Sequence, residues 1–178
     1  MGKLEPAGWY DTYYQEHRDP EGMTVIHDVV AKAIADDPPL SIFDLGCGPG
    51  WFERRLRLAG YVGDYYGVDF SPTAVRHARL GCPLDAPSVF RTADIHTVDD
   101  RPETMLVALE VLEHIEDDVK ALERFAISGR RVFVSVPTYD SSSHVRWFAK
   151  DDDLGKRYGI VGRQWEQDRQ LYLVGRFR

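Results

Sequence analysis

The chain has little cysteine, fewer basic than acidic residues and no long apolar run, and each shortage excludes something. Only two cysteines, Cys47 and Cys82, occur in 178 residues. They stand in no metal-ligand spacing, so neither a disulfide framework nor a thiolate zinc site is expected. No apolar stretch approaches the roughly 20 residues that cross a bilayer. The opening MGKLEPAGWYDTYYQEHRD is too polar and acidic for a signal peptide, so a cytoplasmic protein with no membrane partner is expected. Lys and Arg number 22 against 29 Asp and Glu, a formal net charge of −7. That balance argues against broad nucleic-acid binding, which rests on neutralising phosphates. The deficit is uneven: from Ser141 onward eight basic residues face five acidic ones, which leaves room for a local polyanion site.

What is present reads as one soluble globular domain, with 43% hydrophobic and 29% charged residues and enough chain to bury a core. Short apolar, β-branched runs alternate with longer helix-like stretches, the pattern of an α/β fold with a mostly parallel sheet. The expected strands are Ser41–Leu45, Tyr65–Val68, Ser88–Arg91, Thr104–Leu109 and Arg131–Val136. Gly159–Trp165 and Gln170–Phe177 pair as a hairpin across Glu166–Arg169, which makes seven strands. Helices are expected at Trp9–Tyr14, Met23–Ala35, Trp51–Ala59, Thr73–Leu80 and Asp117–Ser128. Ser71 followed by Pro72 is an N-cap with proline at the first helical position. Asp151–Asp153 complements the dipole of a further helix start.

The most informative stretch is IFDLGCGPG at residues 42–50, a buried-strand pattern followed by glycines on alternate positions. In an open parallel sheet, ligands bind at the carboxyl ends of the strands where the strand order reverses. A dinucleotide turn needs G-x-G-x-x-G, and here Trp51 fills the third-glycine position. A phosphate loop fails too, because no Gly-Lys-Ser/Thr follows. The turn suits a nucleoside-like ligand without a pyrophosphate.

Asp44, Gly46, Gly48 and Gly50, as acid-x-Gly-x-Gly-x-Gly, resemble motif I of the class I S-adenosylmethionine-dependent methyltransferases. The resemblance extends through YYGVDFSPTAV, FRTADI, ALEVLEHIED and VFVSVPT, each at a strand end and in the family's order. It implies a doubly wound Rossmann-like sheet and S-adenosyl-L-methionine as cofactor. It implies that Asp69 accepts from both ribose hydroxyls and that Phe70 lies against the adenine. Asp94 would accept from the adenine amino group, with Ile95 beside it and Glu110 near the methionine end. The chain then divides into covering helices over 1–38, a cofactor-binding core over 39–137, and an acceptor-side segment with the hairpin over 138–178.

If a helical turn starts after the fourth strand, Glu110, Glu113 and His114 fall at i, i+3 and i+4 on one face. His144 follows the fifth strand. Two Glu and two His can bind a divalent metal, Mg²⁺ or Mn²⁺. This set resembles the metal-dependent 2′-O-methyltransferases of small-RNA 3′ ends, and a related Glu-x-x-Glu-His occurs in ubiquinone-pathway O-methyltransferases. The same stretch is widespread in metal-free small-molecule methyltransferases, where His114 is a candidate general base with Glu113 beside it. Tyr139, His144, Arg146 and the aromatic set Trp9, Tyr10, Tyr13 and Tyr14 are candidate acceptor contacts. The leading expectation is methyl transfer to a hydroxyl of a small molecule by a monomer or homodimer. An RNA terminus as acceptor and a non-catalytic cofactor-binding module are the alternatives. No Asn/Asp-Pro-Pro-Tyr follows the fourth strand, so the mark of base amino-group methylation is missing.

Overall fold

The computed structural model describes residues 7–16 and 21–178, so the expected N-terminal cover lies partly outside the described residues. The chain divides into two compact units, Pro6–Thr97 and Val98–Arg178.

The N-terminal unit runs α1 (Ala7–Glu16), α2 (Glu21–Ala35), β1 (Ser41–Leu45), α3 (Trp51–Leu58), β2 (Asp64–Asp69), α4 (Pro72–Gly81) and β3 (Ser88–Thr92). Its strands are ordered β3-β2-β1 and all parallel, with Ile42 opposite Tyr65 and Tyr65 opposite Ser88. Ile42, Phe43, Asp44 and Leu45 are all buried, so β1 is covered on both faces, as a parallel strand between helices must be. Ser71 caps α4: its Oγ accepts from Ala74 N at 3.0 Å, and Pro72 takes the first helical position. Arg57 closes the far end of α3, donating to the carbonyls of Tyr61 (2.8 Å) and Gly63 (2.9 Å) and pairing with buried Glu53.

The C-terminal unit runs β4 (Met105–Leu109), a 3₁₀ turn (Leu112–His114), α5 (Asp118–Glu123), β5 (Arg131–Pro137), α6 (Leu154–Tyr158), β6 (Ile160–Gln167) and β7 (Gln170–Phe177). Its strand order is β4-β5-β7-β6, with β4 and β5 parallel and β7 antiparallel to both its neighbours. The hairpin forms where its apolar runs predict, but the turn shrinks to Asp168 and Arg169, both at positive φ (52° and 64°). Two consecutive positive-φ residues joining antiparallel strands match the twist of a type I′ turn. Asp153 caps α6, accepting from Lys156 N at 2.8 Å, and Gly159 ends it in the left-handed region at φ 67°.

One helix is shorter than its apolar spacing predicts. The pattern over Asp117–Ser128 is helical, yet α5 ends at Glu123. Beyond it, Ile127 N bonds back to the Phe125 carbonyl at 3.0 Å, and Arg130 Nη1 reaches the same carbonyl at 3.1 Å. That carbonyl is then lost to a helical ladder. Phe125 keeps its burial beyond the end of the helix.

Candidate active site

In the N-terminal unit the turn after β1 is folded onto the end of β2. Gly46 N and Cys47 N both donate to the Val68 carbonyl, at 2.8 and 2.9 Å. Gly46, Gly48 and Gly50 all have positive φ (75°, 51° and 75°), a region costly to side chains. At Gly50 a Cβ would also stand 3.1 Å from that of Ala78, so the turn and α4 meet with no room for a side chain.

Asp69 ends β2 and is buried, with Oδ2 accepting from Gly48 N and Oδ1 from Ser71 N, each at 2.9 Å. Burial pushes its carboxyl up to about 6 against the pull of those two amides. Asp44 is buried within β1, where the Tyr65 hydroxyl donates to it, and desolvation raises its carboxyl to about 7. Phe70 follows Asp69 and is 38% exposed, with the Tyr10 ring edge-on at 5.1 Å. Asp94 is exposed and caps its own turn by accepting from His96 N at 2.8 Å, while Ile95 is half-buried.

Helix α1 is fastened over this turn. Asp11 accepts from Ser71 Oγ (2.5 Å) and Thr73 N (3.2 Å) at the start of α4. Tyr14 packs edge-on against Trp51 at 5.9 Å, and its hydroxyl lies 3.5 Å from where a Cβ on Gly48 would stand. Trp9 and Tyr13 stack on each other at 5.4 Å.

In the C-terminal unit, Glu113, His114 and His144 each offer one ligand atom, and these atoms lie within 4.8 Å of one another. His114 Nε2 is 3.5 Å from Glu113 Oε1, and the two imidazoles meet edge-on with centroids 5.0 Å apart. Burial raises Glu113 well above the usual carboxylate range, helped by the nearby charge of Glu110. Burial also pulls His114 down to about 4 and lowers His144, so both rings are neutral near pH 7. Glu113 Oε2 and His144 Nδ1 are buried without a hydrogen-bond partner. The Glu113 carbonyl pins the loop that carries His144, accepting from Val145 N at 2.9 Å.

Glu110 does not share that turn. Its backbone is left-handed (φ 56°), and the 3₁₀ turn begins only at Leu112, so the one-face helical spacing does not form. Its Oε1 accepts from Ser135 Oγ at 2.9 Å. Arg146 is engaged as well: it pairs with Asp118 at 2.9 Å and donates to the carbonyls of Ile115 and Glu116. Tyr139 stands near His144, with ring centroids 5.7 Å apart.

A family model described as a methyltransferase domain matches residues 14–171. The chain belongs to the methyltransferase domain family. Among curated relatives, the mitochondrial ubiquinone biosynthesis O-methyltransferase of Candida albicans is 28% identical over 127 residues, covering 65% of this chain and 37% of the relative. The trans-aconitate 2-methyltransferase of Pseudomonas aeruginosa is 33% identical over 87 residues, covering 48% of this chain and 30% of that enzyme. The chain spans between 20% and 37% of the length of the curated relatives it matches. Among solved structures, the magnesium protoporphyrin IX methyltransferase of Synechocystis PCC 6803 with bound S-adenosylhomocysteine superposes with a TM-score of 0.73. The identity is 18%, over 95% of this chain and 94% of that one. That likeness shows the fold, a seven-stranded Rossmann-like methyltransferase sheet closed by an antiparallel hairpin.

Three features of this methyltransferase domain escape sequence reading. Asp11 fastens α1 through a contact 60 residues away. Ser143 orients His114 through a backbone carbonyl, to which any residue type could contribute. Gln170 and Tyr172 are buried polar residues alternating with Leu171 and Leu173 in β7. Their period-two polarity was the only available signal, and it reads like an ordinary half-exposed strand.

Proposed function

We propose that the chain catalyses S-adenosylmethionine-dependent methyl transfer to a hydroxyl of a small molecule. The observation that carries this reading is Asp69, a buried carboxylate held at the tip of β2 by the amides of Gly48 and Ser71 beside a positive-φ glycine turn. A carboxylate so fixed suits the paired hydroxyls of a ribose. Phe70 offers an exposed ring beside it for an adenine face, and Asp94 offers an exposed acceptor for an exocyclic amine. The O-methyltransferase named among the relatives and the S-adenosylhomocysteine in a structural neighbour support the same choice.

The sulfonium supplies an activated methyl group, so the protein's task is alignment and removal of a proton. His114 is suited to the second. The Ser143 carbonyl can only accept, so His114 Nδ1 carries the hydrogen and Nε2 keeps its lone pair. An acceptor hydroxyl would pass its proton to that nitrogen as its oxygen takes the methyl group, the methyl carbon–sulfur bond breaking to leave S-adenosylhomocysteine. Glu113 Oε1 lies 3.5 Å from that nitrogen, and protonation of the ring favours the charged form of this otherwise raised carboxyl.

A metal-assisted form of the same reaction is favoured by one observation. Glu113 and His144, which keep Oε2 and Nδ1 buried and unpartnered, belong to the group whose ligand atoms gather within 4.8 Å, and a set of one carboxylate and two imidazoles fits Mn²⁺ better than Mg²⁺. Such an ion would polarise the acceptor oxygen and lower its pKa. Glu113, His114 and His144 would hold it.

Transfer of a labelled methyl group from S-adenosylmethionine to a panel of hydroxylated metabolites, with and without EDTA, tests the reading. Activity that survives EDTA assigns the proton to His114 alone, and activity that EDTA removes and Mn²⁺ restores assigns the metal form. Tight cofactor binding with no transfer to any hydroxyl would overturn the enzymatic reading in favour of a binding module.

A further inference from the structure

The C-terminal hairpin brings a second set of polar atoms to one face of the C-terminal unit. β5 and β7 pair so that Ser135 faces Tyr172 and Pro137 faces Gln170, which puts Ser135, Gln170 and Tyr172 on the same side. Glu110 is hung over this face. Its N–H donates to the Ser135 carbonyl at 3.2 Å, and its carboxylate accepts from Ser135 Oγ and from the side chain of Gln170. Gln170 therefore turns its amide N–H₂ to Glu110, which leaves its carbonyl oxygen, buried and without a partner. The Tyr172 hydroxyl is fully buried and likewise unpartnered. Its ring is stacked on Trp165 at 5.2 Å and 15°, so the hydroxyl cannot swing away to find solvent.

The chemistry of this set is one-sided. Glu110, Gln170 Oε1 and Tyr172 Oη are oxygens able to accept, and among the described residues Glu110 forms no ion pair. A carboxylate taken partly out of water with only neutral partners is costly, as are two buried polar atoms with none. All three costs are relieved together by one small cation with several N–H donors. We propose that Glu110, Gln170 and Tyr172 form a subsite for a primary ammonium group. This rests on the methyltransferase reading, under which two molecules could bring such a group: the cofactor, through its methionine α-ammonium, and an amine-bearing acceptor.

Calorimetry on the whole chain separates the sources. The probes are S-adenosylhomocysteine, its analogue lacking the α-amino group, and 5′-methylthioadenosine, which lacks the amino-acid portion altogether. If the cofactor supplies the ammonium, the natural chain prefers S-adenosylhomocysteine over the deaminated analogue by roughly tenfold or more, the usual worth of a hydrogen bond to a charged group. Gln170→Leu and Tyr172→Phe then collapse that preference and leave 5′-methylthioadenosine binding unchanged. If the acceptor supplies it, the variants leave that preference alone. Tyramine then binds the natural chain saturated with S-adenosylhomocysteine and fails to bind the variants. Tyr172→Phe keeps the stacked ring and guards against a folding defect in Gln170→Leu. Indifference of both the preference and tyramine binding to Gln170 and Tyr172 overturns the subsite while the methyltransferase reading stands. Failure of the natural chain to bind any of the three nucleosides sinks that reading itself, and the subsite with it.

Discussion

His114 donates its Nδ1 hydrogen to the carbonyl of Ser143 across 2.9 Å, and this one bond leaves Nε2 as the ring's basic nitrogen. It also ties the 3₁₀ turn after β4 to the loop that carries His144. A side chain that fills the space without a basic nitrogen should therefore spare the fold and remove the proton acceptor. His114→Gln is expected to lower kcat by roughly 10²–10⁴-fold, the range for loss of a general base. Binding of S-adenosylhomocysteine should stay as in the natural chain, because the nucleoside contacts proposed above lie in Pro6–Thr97. Parallel calorimetry and turnover measurements check both halves. An equal loss of affinity and rate would mean that His114 is structural.

Asp69 carries the cofactor reading, and its two roles can be parted. It accepts from two backbone amides and, as proposed, from two ribose hydroxyls. Asp69→Asn retains one acceptor oxygen for the turn but loses the charge and one acceptor. Cofactor affinity is expected to fall by about 1.5–3 kcal/mol, with a smaller change in thermal stability. Titration calorimetry reads the first and a melting curve the second. Undiminished affinity would displace the nucleoside from the tip of β2.

Asp44 gives a pH signature. Burial lifts its folded value to about 7 from an ordinary 3.8, in spite of the Tyr65 hydroxyl that favours the charged form. A raised acid holds its proton more tightly when folded. Its contribution is complete below about 3.8 and is lost as pH rises to about 7, at a limiting slope of about 1.4 kcal/mol per pH unit. Asp44→Asn cannot ionise. Its stability relative to the natural chain is expected to improve steadily from pH 4 to pH 7.5 and then level off. Urea titrations across that range measure the difference, in which the parallel titrations of Asp69 and Glu110 cancel.

The parts of the site that were legible are those whose chemistry is written in neighbouring residues. A glycine turn between a buried strand and a helix has few uses, and Asp69 sits one strand later at the equivalent tip. Ser71-Pro72 announced α4 in the same local way. Glu110 misled for a physical reason. Its spacing to Glu113 and His114 is helical, but the bonds from its N–H and carboxylate to Ser135 hold it in a left-handed conformation instead. The end of α5 was hidden in another way, by Arg130, which takes the Phe125 carbonyl just beyond the helix. At Glu110 a hydrogen bond to a residue 25 positions away overrode the local periodicity, whereas at α5 the competing donor lies five residues on and is seen only as a side chain that folds back.

The hairpin tip offers a test in which stability and function separate. Arg169 holds a left-handed φ of 64°, accepts from Thr138 N through its carbonyl at 2.8 Å, and lays its guanidinium over the Tyr139 ring at 4.8 Å. Arg169→Gly relieves about 1–2 kcal/mol of left-handed strain. It loses a cation–π contact worth about 0.5–1 kcal/mol and adds about 0.5–1 kcal/mol of unfolded-state freedom. These nearly cancel, so the melting temperature should barely move. Tyr139, whose ring lies 5.7 Å from that of His144, meanwhile loses the guanidinium laid over it. The imidazole resonances of His144 are expected to shift and broaden in Arg169→Gly and to stay in place in Arg169→Lys, which keeps a cation over the ring. Unmoved His144 signals in the glycine variant would show that the turn does not position the loop, and that Tyr139 finds its place without it.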